Sequence, residues 1–319
     1  MTGPVPHWPG RMVSLAGGER VNVAETPRSV PDKGNGLVLC VHGMSGAATN
    51  WTDFMAELAP DFDCAAVDLP GSGFSPPPAA KSGYSITALA RTVVRLIEAL
   101  DRGPVHLAGN SMGGAVSIRV AASRPDLLRT LTLVSPVLPD LRVRRELLQF
   151  PVAGLPFIGE WVMRRTQLIP AENRVAGVLA TCYYDAGAVD PWRFELDVAE
   201  LKRRDELGYN ATTLSRAART IVAESLRPRR YSLWGAAGRI TVPTLVTFGS
   251  HDQLVNPRLA APARRAFRGA TVLVLPQTGH VAQMERPRLV AEHFREMVDR
   301  TRAHGGESGN SGRRDPVDA

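Results

Sequence analysis

The chain has 319 residues, 44% hydrophobic and 22% charged, which suits one large α/β domain with an insertion or two modest domains. Its net charge of +7 would suit a nucleic-acid partner, but the excess is arginine spread along the chain, with lysine only at Lys33, Lys81 and Lys202. No nucleic-acid-binding motif accompanies it, and no apolar run approaches the roughly 20 residues that span a bilayer, so neither partner is expected.

Met1–Gly10 holds three prolines and no apolar core, so it reads as a flexible N-terminus rather than a secretion signal. A cytoplasmic protein is therefore expected. Met12–Leu15 and Arg20–Ala24 form a hairpin pattern around Gly17-Gly18. Leu37–Val41 is a continuous apolar run, as in a strand buried on both faces, and Cys64–Val67 is a second. Between them, Trp51–Leu58 is amphipathic. Ile86–Leu100 carries apolar residues at helical spacing and stops at Asp101-Arg102-Gly103-Pro104. Val105–Ala108 and Leu131–Val134 are further strands, giving the β–α alternation of a parallel sheet covered by helices. Cys40 and Cys64 fall inside strands, and with Cys182 they are too few and scattered for a disulfide framework or a zinc site.

That rhythm breaks after Ser135-Pro136. Residues 137–233 read as helices interrupted by proline and glycine, with no clear strand and much of the chain's aromatic content. Arg142, Arg144, Arg145, Arg164, Arg165, Arg203 and Arg204 cluster there; they solvate exposed helices or tilt the mouth of a site toward anionic substrates. Strands resume at Thr244–Phe248 and Thr271–Leu275, and a last helix runs from about Arg288 to Arg300. The expected division is a flexible segment 1–10, a core in two parts (11–136 and 234–302), a helical insertion 137–233, and a disordered tail 303–319.

Gly109-Asn110-Ser111-Met112-Gly113 lies between a strand and an alanine-rich helical pattern. Gly-x-Ser-x-Gly in that setting describes a nucleophile elbow, a turn so tight that glycines are needed for close backbone approach. A serine hydroxyl needs a base, and the base an orienting group. Of the seven histidines, His280 follows the last strand, and Asp252 follows the strand before it, so both fall at the carboxyl edge of the sheet. His251 adjoins the acid but reads as structural; His106 reads as a core histidine.

The order Ser111, Asp252, His280 resembles that of the α/β-hydrolase superfamily, over roughly residues 11–300. Val41-His42-Gly43-Met44 resembles that family's oxyanion loop, and Asp68-Leu69-Pro70-Gly71-Ser72-Gly73-Phe74-Ser75 its Asp-x-Pro-Gly loop, with Ser72 where histidine is usual. The resemblance implies a mostly parallel twisted sheet with helices on both faces and a helical cap at the insertion. It also implies an oxyanion hole from the Met44 and Met112 N–H groups, a small-molecule acyl substrate, and no metal or organic cofactor. A serine rather than an aspartate at the elbow points to acyl chemistry. A carboxylic-ester hydrolase leads; carbon–carbon hydrolysis, acyl transfer or cyclisation, and a non-catalytic ligand-binding role are the alternatives.

Overall fold

The computed structural model describes residues 5–27, 34–140 and 149–307. Eight strands form one sheet: β1 (Gly10–Ser14), β2 (Arg20–Glu25), β3 (Leu37–Val41), β4 (Asp63–Val67), β5 (Val105–Asn110), β6 (Leu128–Val134), β7 (Thr244–Gly249) and β8 (Thr271–Leu275). Their order is β1-β2-β4-β3-β5-β6-β7-β8. β1–β2 and β2–β4 pair antiparallel; every other pair is parallel. This is the α/β architecture expected from the sequence.

Side chains of the central strands alternate between two cores, which is why their sequences read as unbroken apolar runs. Along β3, Leu37, Leu39 and Val41 enter one core while Val38 and Cys40 enter the other. Helix α1 (Thr52–Leu58) closes the second face, with Trp51, Phe54 and Met55 fully buried. Helix α2 (Ile86–Leu100) supplies Val93, Leu96 and Ile97 to the first core. Its start is fixed by Ser85 Oγ accepting the Ala88 N–H at 3.2 Å, and its end by Asp101 at φ 47°. Helix α3 (Met112–Ser123) follows β5 and packs on the same face.

Between β6 and β7 the chain leaves the sheet. Helices α4 (Gln149–Gly154), α5 (Ile158–Thr166), α6 (Ala171–Cys182), α7 (Pro191–Asp205) and α8 (Asn210–Ser225) follow one another before α9 (Leu233–Ala237) returns to the core. Ala171, Val175, Leu179 and Val198 make a separate small core where α6 meets α7. Arg142, Arg144 and Arg145 lie outside the described residues, and Arg164 and Arg165 are exposed on α5. After β7 come α10 (Ala260–Ala266), then α11 (Ala282–Glu285) and α12 (Pro287–Glu307), the last covering the α1 face through Phe294 and Met297.

Two boundaries differ from the sequence reading. Part of segment 1–10 is tied down: Trp8 Nε1 donates to the Thr52 carbonyl at 3.1 Å, and His7 Nδ1 lies 2.8 Å from Thr52 Oγ1. The last helix continues to Glu307, because no proline or capping residue interrupts its backbone ladder at Arg302; residues 308–319 lie outside the described residues. No described helix is long and apolar enough to cross a membrane.

Candidate active site

Ser111 occupies the turn between β5 and α3 with φ 55° and ψ −118°, a conformation that a non-glycine residue holds only when its surroundings enforce it. Its N–H donates to the Val134 carbonyl at 3.0 Å, and its carbonyl accepts from Val137 N–H at 3.0 Å and Ala115 N–H at 3.1 Å. The flanking glycines are required by space. A Cβ on Gly109 would stand 2.5 Å from the Gly113 carbonyl oxygen, and one on Gly113 would collide with the carbonyls of Val41 and His42. Local sequence and the β3–β5–β6 packing thus agree on one turn.

Asp252 and His280 come from the loops after β7 and β8 and are both buried. His280 Nδ1 lies 2.9 Å from Asp252 Oδ2, while Asp252 Oδ1 accepts the N–H groups of Leu254 and Val255, each at 2.8 Å. Burial pushes the Asp252 carboxyl pKa up, but His280, the Val255 N–H and the Ser135 hydroxyl outweigh it and hold it below the ordinary value. An ionised Asp252 only accepts, so His280 Nδ1 carries a proton, and it is Nε2 that holds the lone pair whenever the ring is neutral. The Ser111 hydroxyl makes no hydrogen bond among the described residues, yet Ser111 and His280 both line a single cavity of about 490 Å³.

The same cavity is lined by Gly43 and Met44. Neither the Met44 nor the Met112 N–H donates a hydrogen bond to another described residue; Met44 lines this cavity, whereas Met112 is buried beside it and lines a small neighbouring cavity with Ser45 and Leu69. Two buried polar residues shape the loops around them. His42 Nε2 accepts the Leu69 N–H at 2.9 Å, so its Nδ1 donates to the Gly43 carbonyl at 2.7 Å; burial lowers its pKa and keeps the ring neutral. Asp68 accepts from Ala48 N–H at 2.6 Å, Asn22 Nδ2 at 2.8 Å and Phe74 N–H at 2.9 Å, pinning the Asp-x-Pro-Gly loop. His251 packs its ring on Tyr184 at 4.5 Å. His106 sits in the core between Thr130 Oγ1 and the Asn35 carbonyl.

Several contributors carried no sequence signal. Asn110, the variable position of the elbow, uses Nδ2 to hold the carbonyls of Val134 and His280, both at 3.1 Å. The helical insertion reaches the same loop: the Cys182 carbonyl accepts the His280 N–H at 2.6 Å. Glu285 completes this link, taking the Gly279 N–H at 2.7 Å on one oxygen and the Tyr184 N–H at 2.9 Å on the other. Arg204 of α7, one of the arginines singled out in the sequence, lines the same cavity and donates from Nη1 to the Ser45 carbonyl at 2.8 Å; Asp197 of the same helix, which carried no sequence signal, also lines it.

A sequence model of the alpha/beta hydrolase fold family matches residues 36–287. The dihydrolipoyllysine-residue acetyltransferase component of the acetoin cleaving system of Pseudomonas putida is 32% identical over 254 residues, covering 79% of this chain; the chain spans only 60% of that relative. The 2-(acetamidomethylene)succinate hydrolase of Mesorhizobium japonicum is 26% identical across 88% of this chain and 94% of its own. Among solved structures, the 2-hydroxy-6-oxo-6-phenylhexa-2,4-dienoate hydrolase of Rhodococcus sp. strain RHA1 superposes with a TM-score of 0.73 at 20% identity, over 91% of this chain and all (100%) of that one. With two-thirds or more of its length matched to one fold family and the strand order to go with it, the chain belongs to the α/β-hydrolases.

Proposed function

We propose that this protein cleaves a carboxylic ester, or a related acyl bond, through an acyl-enzyme on Ser111. The observation that carries the reading is the 2.9 Å contact of a buried His280 with Asp252, on a cavity that Ser111 also lines. In this mechanism His280 Nε2 takes the Ser111 proton as the hydroxyl attacks the carbonyl carbon. Asp252 fixes the tautomer and stabilises the imidazolium. The Met44 and Met112 N–H groups receive the oxyanion, each worth on the order of 3 kcal/mol in comparable sites. Proton transfer from His280 expels the leaving group, and water repeats the sequence on the acyl-enzyme.

Residues 137–233 act in this reading as a cap over the site. The cavity wall they supply is largely apolar, with Val175, Val178, Leu179, Ile221, Val222 and Leu226, which suits a small to medium apolar acyl group. Ser111→Ala is expected to abolish p-nitrophenyl ester turnover and labelling by a fluorophosphonate; turnover unchanged in that variant would refute the reading. A second reading, transfer of the acyl group to a nucleophile other than water, is favoured by the 32% identity to a relative named as an acetyltransferase component. Partitioning of the acyl-enzyme between water and an added alcohol or thiol separates the two.

A further inference from the structure

Helix α7 presents Asp197, Glu200, Leu201 and Arg204 to the cavity, the i, i+3, i+4, i+7 stripe of one helix face. The other helices of the insertion line the cavity mainly with aliphatic side chains, so α7 is their charged face; elsewhere in the lining Asp140 accepts from Asn256 Nδ2 at 3.3 Å, and Asn50 and Thr49 add neutral polar groups. On α7, Glu200 is satisfied, its two oxygens taking Arg203 Nε and Nη2 at 2.8 and 2.7 Å. Asp197 makes no hydrogen bond or ion pair among the described residues, and burial pushes its pKa up to about 6. Arg204 is nearly buried and uses only Nη1, on the Ser45 carbonyl; its Nε stands 3.5 Å from Glu200 and has no hydrogen-bond acceptor.

A wholly apolar ligand filling this cavity would strip water from a carboxylate and a guanidinium without replacing it, at a penalty that aliphatic contacts do not recover. A carboxylate ligand would satisfy Arg204 but face Asp197 and Glu200, and an ammonium would satisfy Asp197 but face Arg204 and Arg193, the cations nearest it. A hydroxyl both donates and accepts. Asp197 and Arg204 stand seven residues apart on one face of the helix, about 10 Å between their backbone positions along its axis, so a ligand carrying more than one hydroxyl can address both.

We infer that the α7 face is a subsite for a neutral group bearing two or more hydroxyls, one donating to Asp197 and another accepting from Arg204. The inference rests on the acyl-enzyme reading above and adds the class of substrate: an ester that is apolar on one side of the scissile bond and polyhydroxylated on the other.

Two matched pairs of esters test it in either orientation. The first is 2,3-dihydroxypropyl against butyl hexanoate; the second is ethyl 7,8-dihydroxyoctanoate against ethyl nonanoate. The wild-type enzyme is expected to favour the hydroxylated member of one pair by about tenfold in kcat/KM, and Asp197→Leu to erase or reverse that preference. Asp197→Asn, which keeps an acceptor, is expected to fall between them. Equal rates for both pairs in the wild type, or a stronger preference for the choline or carboxymethyl ester of hexanoate, would overturn the subsite. Fluorophosphonate labelling of wild-type Ser111 reports on the triad independently: a labelled enzyme with no hydroxyl preference refutes the subsite alone, whereas an unlabelled one refutes the reading beneath it.

Discussion

Asp252 illustrates how much of the proposed chemistry depends on protonation at one atom. Its carboxylate holds the His280 Nδ1 proton while two backbone N–H groups hold the carboxylate, so acid and base are oriented together. Asp252→Asn keeps the shape but offers an amide that can donate to Nδ1, leaving the proton on Nε2, where the serine needs a lone pair. We expect kcat for a p-nitrophenyl ester to fall on the order of 10⁴-fold, the loss that the same substitution produces in a serine protease triad, with KM little changed. Steady-state kinetics on the variant check this, and a kcat within tenfold of wild type would remove Asp252 from the mechanism. Gly113 makes the complementary point about space, since any side chain there meets β3 backbone rather than a yielding side chain.

At the scale of elements, the insertion and the sheet are joined at the His280 loop itself. The end of α6 supplies the Cys182 carbonyl, and Glu285 of α11 bridges Gly279 on the core side to Tyr184 and Asp185 on the insertion side. A base carried on a loop that is stapled to the insertion is held in register with the wall that the insertion supplies. Glu285→Ala is expected to lower kcat by 10- to 100-fold, as sub-ångström misplacement of a reacting group does, and to slow fluorophosphonate labelling of Ser111 while helix content by circular dichroism is retained. Glu285→Gln, which preserves one acceptor oxygen, should recover part of the loss. Labelling at the wild-type rate in the alanine variant would show that the bridge does not position the histidine. On the far side α7 fastens to the other loops, Arg204 to Ser45 and Arg203 to the Gly73 carbonyl at 2.8 Å, with the Arg203 guanidinium 3.9 Å above the Phe74 ring.

For the whole molecule, the response to acid draws on histidines whose pKa burial lowers, the buried His106 and His42 and the half-buried His7. His106 in the core and His7 at the N-terminal segment both have pKa values lowered by burial to about 4, against 6.5 for a free histidine. Between those values the unfolded chain binds the more protons, so the stability these residues contribute is complete above pH 6.5 and is lost as pH falls toward 4. Asp197, raised to about 6, and Asp53, also raised, work in the opposite direction, whereas the lowered His42 and Asp252 act with His106 and His7. Melting temperature is expected to drop from pH 7 to pH 4.5, with a shallower slope in His106→Asn; identical slopes would exclude this source. The order of strands and helices was readable from the chain because each rests on local signals: alternation across β3, the Ser85 cap and helical spacing of α2, and the glycine-flanked turn at Ser111. The positions of Ser111, Asp252 and His280 at strand ends followed from the same pattern, since a parallel sheet gathers those ends at one edge. What only the tertiary structure decided are contacts between segments far apart in sequence, Asn110 on the His280 carbonyl and Glu285 across to Tyr184, and the burial that leaves Asp197 unpartnered among the described residues on the cavity wall it shares with Arg204. Periodicity and turn chemistry record which face of an element is buried, but not which distant backbone will stand opposite a given carboxylate. That depends on how helices pack over the sheet, which no local pattern encodes.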